Sequence, residues 1–135
     1  MQAILMIALV LHVLAGVFWA GTTFALARTS GNQFDRLLRP QMGAAAIAFL
    51  TGGLLWFLLH RGPLGPQTYI LAIGVLCALL AVGVQGMTGP AVLPKLLTAG
   101  ESEQSRLRQR VATGQRVAAA ILMITVTCMA ASRYA

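Results

Sequence analysis

Four long apolar stretches alternate with short polar segments along the 135 residues, and each stretch is long enough to be read as one helix across a bilayer. The first, about residues 3–27, carries no ionisable side chain except His12 and ends where Arg28 meets the turn-forming run Thr29-Ser30-Gly31-Asn32-Gln33. The short amphipathic patch Phe34-Asp35-Arg36-Leu37-Leu38-Arg39 follows and is expected to lie at the membrane interface. The second span, about 41–59, is expected to open just after Pro40 and to close at His60-Arg61-Gly62-Pro63. The third covers about 69–86, with Gly89-Pro90 and Pro94 breaking the helix beyond it. The fourth apolar run, about 111–132, is preceded by the most polar part of the chain. Ser102 as N-cap and Glu103 in the first turn predict one helix from there to about Ser132. At 1.5 Å per residue it measures on the order of 45 Å, so its first turns stand clear of a hydrocarbon core about 30 Å thick.

The pattern predicts an all-α integral membrane four-helix bundle in a single domain. Apolar residues make up 58% of the chain and charged residues 10%, and the mean hydropathy is +0.79. These values lie far from those of soluble domains. Ala25-Leu26-Ala27 resembles a signal-peptide cleavage site, but no basic segment precedes the first apolar run, and the run exceeds a signal core in length. It is therefore read as a span.

The net charge of +7 is a matter of topology and does not point to a nucleic-acid partner. Arg28, Arg36, Arg39, Lys95, Arg106, Arg108, Arg110 and Arg116 fall on one side, against Arg61 and Arg133 on the other. By the positive-inside rule both termini are expected on the non-cytoplasmic side. Cys77 and Cys128 fall inside spans and read as small apolar residues. Small residues recur at four-residue spacing, as in Gly16 and Ala20, Ala48 and Gly52, Gly74 and Ala78, and Gly114 and Ala118. This spacing permits close helix packing, and homodimers as well. Spans one and two with their basic loop loosely mirror spans three and four.

Candidate chemistry starts at His12, because an imidazole inside a membrane is costly without a partner or a ligand. His12, Gly16, Trp19 and Thr23 share one helix face. An imidazole offers a nitrogen to a metal, a glycine one turn later leaves room for a flat macrocycle, and an indole stacks or donates. An unligated histidine would instead hydrogen-bond a threonine or a backbone carbonyl of a neighbouring span. Asp35, Glu101 and Glu103 are the only carboxylates, all expected outside the bilayer and none paired for acid–base work. No phosphate-binding glycine loop or zinc spacing occurs.

The run Leu11-His12-Val13-Leu14-Ala15-Gly16-Val17-Phe18-Trp19-Ala20-Gly21 resembles the first helix of a broad group of small bacterial four-helix membrane proteins. That group includes copper-resistance membrane proteins of the CopD type, four-helix protoporphyrinogen oxidases and the membrane domain ahead of some urate oxidases. Its pattern is a histidine, six residues, then Trp-x-Gly, matched here by His12, Trp19 and Gly21. About a dozen residues carry the similarity. The rest agrees in span count, in a basic third loop and in Arg116 entering the last span.

The resemblance implies a b-type haem bound through His12 in a bacterial inner membrane protein, for electron transfer with a redox partner or a haem-linked oxidoreductase step. Its alternative implication is copper handling, although the six methionines are scattered. The other reading is a small-solute handling or interaction bundle without a cofactor. His12 lies roughly 13 Å deep and His60 at the outer end of span two, so the two are not expected to clamp one iron. Met123, near the middle of the fourth span, is the better-placed second ligand. Haem propionates would need basic partners: His60, Arg61 and Tyr69 form an outer candidate cluster, Arg28 and Arg116 an inner one.

Overall fold

In the computed structural model, residues 1–60 and 65–135 are described, and every regular element among them is helical. The order is α1 (Gln2–Arg28), α2 (Phe34–Leu59), α3 (Pro66–Thr88), α4 (Leu93–Thr98) and α5 (Glu101–Ala131). Four helical segments are long and apolar enough to cross a membrane, at Gln2–Arg28, Phe34–Leu59, Pro66–Thr98 and Glu101–Ala131. The chain is thus a multi-pass membrane protein by its architecture. Large apolar side chains face outward throughout, among them Val17, Leu50, Phe57, Leu76 and Met87. In water such a surface would aggregate; against acyl chains it is the expected exterior.

Three boundaries depart from the sequence expectation. Pro40 lies inside α2 instead of preceding it, so the helix begins about two turns earlier, at Phe34. The patch 34–39 forms the first turns of α2, and its Phe34 and Leu38 are buried and pack with Leu26, Val92 and Val111 into a lower apolar core. Two large apolar side chains one turn apart are better covered by the neighbouring helices than by lipid headgroups. Pro94 does not simply end a helix; it sits in the first turn of the short α4, where its missing N–H costs nothing. The N-cap of α5 is Gly100, not Ser102, since the extended backbone there (ψ 165°) reverses the chain out of α4.

The bundle is built from two hairpins, α1 with α2 and α3 with α5, joined chiefly by α1 against α5. No comparably close backbone approach links α2 to α3. The central core is mostly alanine: Ala15, Ala44, Ala45, Ala48, Ala78, Ala81 and Ala118 surround Trp19 and Leu122. Small side chains let backbones approach and gain dispersion contacts, which holds helices together where lipid offers no hydrophobic drive. Gly114 takes this furthest, with its Cα so close to Thr88 that an added Cβ would meet Thr88 Oγ1 at 2.8 Å. At the basic end, the α1–α2 turn is left-handed at Ser30, Gly31 and Gln33. Gly31 (φ 75°) lies so close to the Arg108 carbonyl that a Cβ would approach it to 2.9 Å, so the turn is seated on α5.

Candidate functional site

Polar groups inside the bundle collect at two levels. The lower is a closed belt to which every long helix contributes one or two side chains: Trp19 and Thr23 from α1, Gln41 from α2, Gln85 from α3 and Gln115 from α5. Thr23, Gln41, Gln85 and Gln115 are completely inaccessible. Trp19 Nε1–H donates to Gln85 Oε1 at 2.8 Å, and the Thr23 hydroxyl donates to the Trp19 carbonyl at 2.7 Å. Thr23 Oγ1 in turn accepts from the amides of both Gln41 and Gln85, each at 2.9 Å. Those same two amides donate to Gln115 Oε1 at 3.0 and 3.1 Å, and Gln115 returns a longer bond of 3.4 Å to Gln41 Oε1. A buried amide without partners costs several kcal/mol in hydrocarbon, so this mutual satisfaction is what lets three glutamines sit there.

The upper level is His12, about two and a half turns away on α1. Its Nδ1 lies 2.9 Å from the Ala48 carbonyl and 3.3 Å from Thr51 Oγ1, both on α2. A carbonyl only accepts, so Nδ1 carries the proton, and Nε2 is left with a free lone pair. Thr51 spends its own hydrogen on the Ile47 carbonyl at 2.6 Å, which leaves its oxygen as an acceptor for the ring. Gly52 gives the imidazole its space, since a Cβ there would stand 2.9 Å from His12 Cε1. Nε2 has no hydrogen-bond partner among the described residues and is not sealed from the surface; the one buried, unpartnered side-chain nitrogen or oxygen among them is His60 Nδ1.

The face expected to share one purpose therefore serves two. Trp19 and Thr23 are engaged in the glutamine belt, while His12 is held by α2. Gly16, between them, has open space where a Cβ would project. Met123 is 54% exposed on α5 and turned outward, whereas His12 is turned toward α2, so the two are not brought together. His60 stacks on Trp56 with ring centroids 4.7 Å apart and planes 18° apart, while Tyr69 is exposed. Arg61 lies outside the described residues. Arg116 reaches the end of α1, where its Nε–H donates to the Ala27 carbonyl at 3.2 Å, next to Arg28. Among the described residues no three His, Cys, Asp or Glu side chains converge.

The belt glutamines were not among the candidates drawn from sequence. The available signal was a glutamine inside each of three apolar helices, with Thr23 on the His12 face of the other. Comparison with protein-family models, curated proteins and solved structures finds no match to this chain. The functional reading therefore rests on the geometry at His12 and the resemblance of its helix.

Proposed function

We propose that this protein is a bacterial inner-membrane haem protein, both termini outside the cytoplasm, in which His12 would hold a b-type haem through Nε2. The observation that carries the reading is the division of labour on the imidazole. One nitrogen is fixed to the Ala48 carbonyl, and the other keeps its lone pair and is not sealed in. Metal-ligating histidines characteristically donate their second N–H to a carbonyl or carboxylate, which sets the tautomer and raises ligand basicity.

The residues present fit such a group. His12 supplies a directed donor, Gly52 keeps the ring in place by leaving it room, and Gly16 leaves one side of the helix open for a flat ligand. A b-type haem bound there would supply a one-electron couple in the membrane. The chain's own part is to present a neutral imidazole, hold its plane against α2 and surround it with apolar helix. The inner pair Arg28 and Arg116 does not belong to this site, because sixteen residues of α1 set Arg28 on the order of 24 Å from His12.

The deciding experiment is absorption spectroscopy of protein purified in mild detergent and reconstituted with haemin. A Soret band is expected in the natural chain and absent in His12→Ala, with Thr51→Val retaining most of it because the Ala48 carbonyl remains. A colourless protein that fails to reconstitute overturns the proposal. The second reading, a bundle without a cofactor that serves a partner, is favoured by the self-satisfied belt, and it predicts that His12→Ala alters stability alone.

A further inference from the structure

The basic end of the bundle carries a cavity of about 460 Å³ between the α1–α2 turn and the first half of α5. Its wall includes Ser30 and Asn32 from the turn, and Ser105, Arg108, Gln109 and Arg116 from α5, with Glu101 as its one carboxylate. One acid and two guanidinium groups thus line it. Both are oriented by neutral acceptors: Arg108 donates from one Nη to Asn32 Oδ1 at 2.8 Å, and Arg116 from Nε to the Ala27 carbonyl at 3.2 Å. Neither bond uses the Arg116 Nη groups. The turn opposite them is held in place through Gly31 seated on the Arg108 carbonyl. The cavity stands at the level where α1, a helix long and apolar enough to cross a membrane, ends in Arg28.

We propose that this cavity binds a phosphate group at the membrane surface. Pre-oriented arginines with spare N–H donors match phosphate oxygens in charge and geometry, and serine hydroxyls and glutamine amides add neutral donors. The single negative charge of a phosphodiester suits a wall with a net charge of one positive unit. The same chemistry is offered by the headgroup of an anionic phospholipid and by free phosphate, and the position at the bilayer edge sets the first against the second.

Two measurements separate these sources. Spin-labelled phosphatidylglycerol is compared with spin-labelled phosphatidylcholine at the protein surface by electron paramagnetic resonance, and inorganic phosphate is titrated calorimetrically into detergent-solubilised protein. Variants are Arg108→Gln combined with Arg116→Gln, and Ser105→Asp, which adds a charge to the cavity while leaving both arginine contacts intact. Arg106→Gln, an exposed arginine that does not line the cavity, controls for loss of overall charge. A phosphatidylglycerol preference that falls about tenfold in the cavity variants and survives in Arg106→Gln assigns the site to lipid. Calorimetric binding of inorganic phosphate with the same variant pattern, and no lipid preference, assigns it to a soluble phosphate. A preference weakened as much by Arg106→Gln as by Ser105→Asp reflects diffuse surface charge and overturns the proposal, as does the absence of binding in both measurements.

Discussion

At the scale of single residues, an imidazole and a glycine on neighbouring helices define each other. Gly52→Ala places a methyl group 2.9 Å from His12 Cε1, so the ring must move off the Ala48 carbonyl. The expected cost is about 1–2 kcal/mol, read as a thermal midpoint a few degrees lower in detergent. Gly53→Ala is the internal control, because open space surrounds that position and its midpoint should hold or rise slightly. Sequence alone placed His12 inside the membrane and named a carbonyl or threonine of a neighbouring span as its fallback partner. It had no means of naming Ala48 or Gly52, because the rotation of α2 about its axis is decided by packing and not by the local pattern.

Among elements, the α3–α5 hairpin shows why small residues recur at helical spacing. Gly114 and Gly74 sit where a Cβ would press on Thr88 and Cys128, the former at 2.8 Å and the latter at 3.2 Å. Gly114→Ala should therefore lower the thermal midpoint, by an amount equivalent to about 1–3 kcal/mol, more than Gly74→Ala. Gly86→Ala, with nothing near it, should leave the midpoint unchanged or raised. The four long apolar helices, α5 the longest among them, were legible from hydropathy and length. The start of α2 was not, because Pro40 reads as a first-turn residue until Phe34 and Leu38 are seen to be covered by α1, the turn after α3 and α5. Likewise α4 hides in a proline-containing loop whose sequence reads only as an interruption.

For the molecule as a whole, the glutamine belt ties both hairpins together. Gln85→Leu strips Trp19 Nε1 of its acceptor and removes a donor from Thr23 and from Gln115. The loss expected is about 1–3 kcal/mol, with a change in tryptophan fluorescence as the local readout. Because Gln41 and Gln115 bond each other directly, Gln41→Leu with Gln115→Leu should cost less than the two single changes summed. The proposed orientation is tested by membrane-impermeant thiol labelling of intact cells: Ala135→Cys should react from outside and Ser30→Cys should not. Three glutamines in apolar helices were visible in the sequence, but their convergence was not, since it depends on the vertical register of four helices at once.

That belt has a bearing on bioenergetics. Its members are amides, an indole and a hydroxyl whose hydrogen is already committed to the Trp19 carbonyl, and none of them gains or loses a proton near neutrality. A layer that is polar in composition thus holds no titratable side chain to relay a proton. For the redox role proposed at His12, this level of the fold would offer protons no chain of titratable side chains through which the membrane potential could discharge.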